Sequence, residues 1–185
     1  AGAKVLASGG TAADAMIAAQ AVLGLVEPQS SGLGGGAFLL WHDGTTGEIT
    51  TLDGREAAPF AATPRLFQTD DGKPMEFWDA VIGGRSVGVP GVPALLEAAH
   101  RRWGKQPWES LLAPAIDLAE GGFTVSPRLA ALVAADQERL AWHPETAGYF
   151  LPEGLPIAEG ARLTNPAYAA TLREMARAGA AAFYA

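Results

Sequence analysis

The sequence predicts an α+β fold that is mostly helical and contains one β-hairpin. An apolar run over residues 12–26 has the length of a buried helix, and two strand-like segments, 37–43 and 48–53, flank a turn of glycine and threonine. The second half of the chain repeatedly places proline where helices begin and glycine where they end. No repeat or linker divides the chain, so we expect residues 1–185 to form a single domain or part of one.

The composition indicates an ordered globular protein. Apolar residues make up 49% of the 185 residues, and the formal net charge is −7. An acidic chain lacks the basic surface that binds phosphates, which argues against a nucleic-acid partner. Cysteine is absent, so disulfides, thiolate metal ligands and cysteine nucleophiles are excluded. The histidines lie far apart in the sequence, and we expect neither a metal site nor a cofactor.

The ends of the chain predict that it is part of a longer polypeptide, and hence a partial domain. It begins at Ala1 without a methionine or a leader-like segment, and it ends at Ala185 directly after a predicted helix. Its longest apolar segment, residues 15–26, is interrupted by Gln20 and is too short to cross a bilayer. We therefore expect no membrane segment within this chain.

The first predicted helix covers residues 12–26. Thr11 precedes it as an N-cap, and Asp14 follows three residues later, where it can bind free amides of the first turn. Asp14 and Gln20 are the polar residues of this helix, so we expect it to be buried on nearly every side. Pro28 prevents its continuation, and the hairpin then follows with its turn at residues 44–47.

Further helices are predicted where proline or a capping side chain opens an apolar pattern. Residues 56–82 contain three prolines and are expected to be irregular. His100 lies between apolar positions and two arginines and is expected on a solvated helix face. The four predicted helix starts are Pro93, Pro107, Ser126–Pro127 and Asn165–Pro166.

The most informative stretch is residues 27–36, in which four of the five positions from 32 to 36 are glycine. Glycine permits backbone conformations that side chains forbid and lets another segment approach closely, so we expect a site or a tight core crossing here. A phosphate-binding loop needs the order strand, glycines, helix. Here a helix precedes the glycines, a strand follows them, and the loop has no lysine. The pattern therefore argues against nucleotide binding.

Residues 84–88 match the G-x-S-x-G pattern of a serine nucleophile elbow. Asp117 or Asp136 together with His143 would complete a triad with Ser86 in a known chain order. Prolines follow, however, where a helix should begin directly behind the serine, and short glycine patterns arise easily in a chain with 23 glycines. A turn serine whose hydroxyl bonds to the backbone is the favoured interpretation, and a serine hydrolase that uses Ser86 is the alternative.

Residues 53–56, Asp-Gly-Arg-Glu, are the best candidate for a functional polar cluster. They end the second strand of the hairpin, where a loop on a rigid sheet can present side chains to a cleft. The planar guanidinium of Arg55 can donate two parallel hydrogen bonds to a carboxylate. A local ion pair of Arg55 with Asp53, Glu56 or a helix acid is the alternative, and the pattern alone favours it because most arginines are structural.

Six blocks of sequence occur in a fixed order along the chain. They are GGTAADA (9–15), EPQSSGLGGG (27–36), DGREAAP (53–59), GGRSVGVPG (83–91), WESLLAPAI (108–116) and GFTVS (122–126). Together they closely resemble the large subunit of γ-glutamyltranspeptidases, over essentially the whole chain. Some members of that family act instead as cephalosporin acylases or poly-γ-glutamate depolymerases.

The resemblance implies part of an αββα sandwich of the N-terminal-nucleophile hydrolases. Such a precursor cuts itself before a threonine, which becomes the N-terminus of a small catalytic subunit and attacks a γ-glutamyl amide such as that of glutathione. Water or an amino acid then accepts the glutamyl group. The implied partners are this small subunit and the γ-glutamyl substrate. No cofactor is implied, and a periplasmic or extracellular location is suggested.

The resemblance places little of the catalytic set in this chain. Arg55 corresponds to the family arginine that binds the substrate α-carboxylate, which raises its functional interpretation above the structural one. We expect no catalytic residue among residues 1–185, and we expect the chain to be inactive and to expose apolar surface when alone. A non-catalytic carboxylate-binding module on the same scaffold is the second hypothesis.

Overall fold

The computed structural model describes residues 1–185, which form two compact units: residues 1–32 with 96–185, and residues 33–95. The helices are α1 Gly2–Ala7, α2 Ala12–Val26, α3 Phe77–Val81, α4 Val92–Trp103, α5 Trp108–Gly121, α6 Pro127–Ala135, α7 Gln137–Leu140, α8 Pro144–Phe150 and α9 Pro166–Ala178. The strands are β1 Ala37–His42, β2 Ile49–Gly54, β3 Phe123–Thr124 and β4 Arg162–Leu163. Strand β1 pairs antiparallel with β2, and β3 with β4. The mostly helical fold with a hairpin is confirmed, whereas the single domain stays a prediction.

Helix α2 begins at the predicted capping box. The Thr11 hydroxyl accepts a hydrogen bond from the Asp14 amide, and the Asp14 carboxylate accepts one from the Thr11 amide at 2.8 Å. The same carboxylate is fully buried and accepts hydrogen bonds from the backbone amides of Lys105 and Gln106. Asp14 therefore both caps α2 and holds the loop that precedes α5.

Helices α2, α5 and α9 pack together in the first unit. Half-buried polar side chains connect them: the Trp108 indole donates a hydrogen bond to the Met175 carbonyl oxygen, and the Tyr168 hydroxyl donates one to the Ala21 carbonyl oxygen, both at 2.8 Å. Burial raises the pKa of Tyr168 to about 12. Pro114 lies inside α5, which nevertheless runs from Trp108 to Gly121. The fully buried core side chains of these helices include Ile17, Leu111, Leu112, Leu172 and Met175.

The later helices have the predicted caps. The Ser126 hydroxyl accepts a hydrogen bond from the Leu129 amide at the start of α6, and the Asn165 side chain accepts one from the Tyr168 amide at the start of α9. Gly179 ends α9 with a φ of 77°, a left-handed conformation that glycine adopts without strain. None of the helices is long and apolar enough to cross a membrane.

Strands β1 and β2 form the predicted hairpin of the second unit. Ala37 faces Gly54 at one end of the ladder and His42 faces Ile49 at the other. Burial alternates along both strands, as expected for a sheet with two different faces. The outer face exposes 71% of Phe38, 67% of Leu40 and 63% of Ile49. The apolar exposure expected of the hairpin is therefore present.

Several details differ from the sequence prediction, which does not include helices α1, α7 and α8 or the short strands β3 and β4. Residues 56–82 are largely irregular but contain the short helix α3, whose start has no capping side chain to signal it. His100 is not on a solvated face: its Nε2 lies 2.8 Å from the Gln106 carbonyl oxygen, and its ring centroid lies 5.4 Å from that of Trp108. The loop after α4 folds back over the imidazole, a contact that the helical pattern cannot reveal.

Candidate functional site

A cavity of about 430 Å³, here called the Arg55 cavity, lies within the second unit. It is formed by the glycine-rich loop, the end of the hairpin and the segment around Ser86. Its lining residues are Gly34, Arg55, Glu56, Ala57, Ala58, Ser86, Val87 and Gly88. Most of these residues have small, uncharged side chains. The guanidinium of Arg55 and the carboxylate of Glu56 are the charged groups in the lining of the cavity.

Backbone hydrogen bonds hold the walls of the Arg55 cavity together. Ala57 and Val89 form an antiparallel bridge with N–H···O distances of 3.2 and 2.8 Å. The Gly35 carbonyl oxygen accepts hydrogen bonds from the amides of Gly91 and Val92 at 3.0 and 3.1 Å. The walls are thus fixed by main-chain contacts, which position the few functional side chains.

Close approach, rather than unusual backbone dihedrals, explains the glycine-rich loop. None of the glycines at positions 32, 34, 35 and 36 has a positive φ. A Cβ at Gly36 would lie 2.8 Å from the Glu56 amide nitrogen, and one at Gly91 would lie 2.6 Å from the Gly54 carbonyl carbon. A Cβ at Gly34, in contrast, would meet no atom within 4 Å. The tight crossing expected of this loop is therefore observed at Gly36, whereas Gly34 lines the Arg55 cavity.

Arg55 follows the last residue of β2. Its amide donates a hydrogen bond to Asp53 Oδ1 at 2.9 Å, which helps turn the chain out of the strand. The side chain is 58% exposed, its Nη1 lies 3.2 Å from Glu56 Oε2, and its Cζ lies 6.0 Å from the centroid of the Phe38 ring. The hairpin therefore presents the guanidinium at the cavity, beside one acid and one aromatic ring.

The ion pair with Glu56 leaves Arg55 able to bind an anion. A partly exposed pair of this kind contributes about 0–1 kcal/mol to stability. The contact is an ion pair without hydrogen-bond geometry, because Glu56 Oε2 is buried and accepts no hydrogen bond. A guanidinium has five N–H donors in a rigid fork. Arg55 can therefore form a local ion pair with Glu56 and still bind a carboxylate.

Ser86 lines the cavity but lacks the geometry of a nucleophile elbow. It ends the 3₁₀ turn Gly84–Ser86, and its hydroxyl contacts the carbonyl oxygens of Val81 and Gly83. An elbow requires a strand before the serine and a helix directly behind it, whereas here the short helix α3 precedes the turn and α4 begins at Val92. Asp117, Asp136 and His143 belong to the other compact unit. The observed contacts are those of the favoured turn serine.

The chemistry available in the Arg55 cavity is anion binding. No group of three or more His, Asp or Glu side chains that could hold a metal ion occurs in residues 1–185. Sequence reasoning singled out Arg55 but did not anticipate that residues 86–88 share its cavity. The signal in the sequence was the set of glycines and prolines in residues 83–91. A Cβ at Gly88 would lie 2.8 Å from the Glu56 Cβ, so only glycine lets this segment approach Glu56 so closely.

The comparisons with known proteins cover all or nearly all of this chain. The family model for gamma-glutamyltranspeptidase matches residues 1–185. The glutathione hydrolase proenzyme of Bacillus subtilis (strain 168) is 41% identical over 183 residues, which cover 99% of this chain and 31% of that protein. Helicobacter pylori gamma-glutamyltranspeptidase superposes with a TM-score of 0.93 at 34% identity, over 99% of this chain and 52% of that chain. Cephalosporin acylase from Bacillus halodurans superposes with a TM-score of 0.81 at 31% identity, over 99% and 34%.

The structural neighbours confirm the predicted fold class, part of an N-terminal-nucleophile hydrolase. The chain spans 31% of the length of the Bacillus subtilis relative. The match of the family model to every residue, together with the superpositions, shows that the chain belongs to the γ-glutamyltranspeptidase family.

Proposed function

We propose that this chain is the large-subunit portion of a γ-glutamyltransferase and glutathione hydrolase. The whole enzyme cleaves γ-glutamyl amides and passes the glutamyl group to water or to an amino acid. The observation that carries the proposal is the exposed guanidinium of Arg55 in a cavity of small side chains. Family membership and the name of the Bacillus subtilis relative support the choice of glutathione as a substrate.

In this proposal Arg55 binds the α-carboxylate of the γ-glutamyl group. Its planar fork can donate two parallel hydrogen bonds to the carboxylate, and hydrogen bonds to a charged group contribute roughly 1.5–3 kcal/mol. Glu56 contacts the guanidinium from the protein side at 3.2 Å and so restricts its orientation. The open space at Gly34 leaves room for the substrate next to these groups.

The bond-breaking groups lie outside residues 1–185 in this proposal. The hydroxyl of an N-terminal threonine, in a small subunit cut from the same precursor, attacks the γ-carbonyl carbon. The threonine α-amino group takes the hydroxyl proton and returns it to the departing amine, and backbone amides stabilise the oxyanion. Water or an amino acid then releases the glutamyl group. The 185-residue chain alone is therefore inactive.

The direct test is an assay of the full-length gene product for release of a chromogenic amine from a γ-glutamyl anilide. The 185-residue chain is assayed beside it, and mass spectrometry determines whether the full-length protein has cut itself. We expect activity in the self-cleaved protein and none in the isolated chain. A cleaved but inactive protein would indicate an acylase with another substrate, and an uncleaved, inactive protein would indicate the non-catalytic binding module.

A periplasmic or extracellular location belongs to the same proposal and rests on the family resemblance alone. Cell fractionation followed by immunodetection of this chain tests it. Recovery of the protein in the cytosolic fraction would contradict that location without affecting the proposed reaction.

A further inference from the structure

A second cavity, the α6–α8 cavity, lies entirely within the first unit and has no part in the proposed reaction. Its volume is about 620 Å³, inside the range of roughly 300–1,000 Å³ that is usual for small-molecule sites. It is lined by Pro28, Gln29, Ser30, Arg128, Leu129, Leu132, Val133, Ala135, Asp136, Arg139, Leu140 and Phe150. The loop after α2 thus forms one wall, and helices α6 to α8 form the others.

The floor of the α6–α8 cavity is apolar. Leu129, Leu132 and Val133 recur at helical spacing on one face of α6, and Leu140 of α7 and Phe150 of α8 join them. Most of these side chains belong to the hydrophobic core of the unit, but Leu132 is 40% exposed. A ligand that covered this surface would remove apolar area from water, which favours binding.

Three charged side chains line the cavity, Arg128, Asp136 and Arg139, and Glu27 outside the lining pairs with Arg128. Arg128 lies 3.4 Å from Glu27, and Arg139 forms an ion pair with Asp136. Glu27 also accepts a hydrogen bond from the Gln29 side chain and contacts the Ser126 hydroxyl at 3.4 Å. Each guanidinium therefore already has a carboxylate beside it, and the four charges sum to zero.

We propose that the α6–α8 cavity binds a bulky apolar amino acid in its zwitterionic form. The ligand carboxylate contacts Arg128 or Arg139, the ammonium group contacts Asp136, and the side chain covers Leu132 and the apolar floor. A zwitterion can insert between an arginine and its acid while every charge keeps an opposite neighbour. A simple carboxylate would leave an acid without its cation, and a simple amine would leave a guanidinium without its anion, which costs free energy near an apolar surface.

The test is isothermal titration calorimetry of the full-length protein with L-phenylalanine, 3-phenylpropanoate and 2-phenylethylamine. These probes share the aromatic group and differ in the charges they carry. We expect saturable phenylalanine binding with a Kd of about 1 mM or tighter. Each singly charged analogue should bind about ten-fold more weakly or worse. No saturable phenylalanine binding, or equal binding of 3-phenylpropanoate, would overturn the proposal.

Variants locate the binding to this cavity. Arg128→Gln and Arg139→Gln should each weaken phenylalanine binding about five-fold or more, and Leu132→Asn should weaken it independently of charge. Arg173→Gln is the matched control, because Arg173 is a similarly exposed arginine paired with Glu120 outside the cavity. Arg55→Lys should leave the affinity unchanged, which separates this site from the proposed active site. Binding that survives all three cavity variants would refute the assignment.

Discussion

At the residue scale, the Asp14 carboxylate both caps its own helix and makes a contact with residues far away in the sequence. Its place three residues after Thr11 predicts the capping box, and the structure confirms it. Nothing in the sequence predicts that Lys105 and Gln106, 91 and 92 positions away, donate backbone hydrogen bonds to the same carboxylate. Burial alone would raise the pKa of Asp14, but the hydrogen bonds from Thr11, Lys105 and Gln106 outweigh it and lower that pKa below 3.8.

The first prediction concerns this carboxylate. Asp14→Asn should lower the free energy of unfolding by about 2–3 kcal/mol near neutral pH, because an amide group cannot accept hydrogen bonds at both of its ends. The folded pKa of Asp14 lies below the unfolded one, so the stabilisation is complete above the unfolded pKa and is lost as the pH falls through the folded value. Denaturant unfolding of both proteins should therefore show a difference that shrinks below about pH 4.

The control for this prediction is Asp117→Asn, which changes an exposed aspartate on α5. Substitutions of this kind usually change stability by less than about 0.5 kcal/mol. An Asp14→Asn protein as stable as the Asp117→Asn protein at neutral pH would contradict the role given to Asp14.

Arg55 and Glu56 illustrate a different limit of sequence reasoning. The tetrad at residues 53–56 is recognisable as a polar cluster, and a local ion pair and an anion site could both be inferred from it. The structure contains the pair and also leaves the side chain of Arg55 58% exposed at a cavity. Pattern alone favours the ion pair, because it cannot show which other segments reach the guanidinium.

At the scale of elements, boundaries with local chemical signals were predictable. The hairpin strands, the capped helices and the hairpin turn lie where glycine, proline and capping side chains place them, because these residues act on the adjacent backbone. Helices α1, α3, α7 and α8 lack a capping side chain, and the sequence did not predict them. The crossing of the glycine-rich loop with residues 88–92 was anticipated only as a general possibility, since its partner segment lies far away in the sequence.

The second prediction tests the close packing of Gly91 against the end of β2. Gly91→Ala would place a Cβ 2.6 Å from the Gly54 carbonyl carbon, so the crossing segments must separate and move Arg55. We expect a lower unfolding midpoint and a higher KM for a γ-glutamyl anilide in the full-length protein. Gly44→Ala is the matched control in the same unit, because its Cβ would meet no atom within 4 Å and the backbone φ there is not positive.

Either of two results would contradict this account of the glycines. One is a Gly91→Ala protein whose unfolding midpoint and KM both equal those of the parent. The other is a Gly44→Ala protein that is impaired as severely as Gly91→Ala, since that would point to a general effect of replacing glycine.

At the scale of the whole molecule, the outer face of the hairpin exposes Phe38, Leu40 and Ile49. Leu40 lies opposite Thr51, so replacement by threonine would create a polar, strand-compatible pair at the centre of this face. The third prediction is that the isolated 185-residue chain self-associates and that Leu40→Thr weakens the association. Sedimentation velocity over a concentration series measures both.

A matched control for the hairpin face is Leu132→Thr, which changes a leucine that is 40% exposed in the other unit. If the hairpin face drives association, this variant should sediment like the parent chain. A parent chain that stays monomeric at every concentration, or equal effects of the two substitutions, would contradict the prediction.

The fold class was within reach of the sequence because periodicity, caps and turn residues all indicated the same elements, and six ordered blocks resembled one family. The site was less accessible. One residue, Arg55, could be named, but its cavity depends on contacts between residues 34–36, 54–57 and 86–92 that no local pattern encodes. The division into two compact units was also not foreseen, because no linker or change of composition marks it.

The most direct test of the central claim is the Michaelis constant of Arg55→Lys in the full-length protein with a γ-glutamyl anilide. Lysine keeps the charge and loses the fork, so we expect KM to rise about ten-fold or more, as the loss of roughly 1.5–3 kcal/mol of charged hydrogen bonding requires. Arg65→Lys, at an exposed position of the same unit, should leave KM unchanged. An unchanged KM in Arg55→Lys would contradict the assignment of Arg55 to the substrate carboxylate.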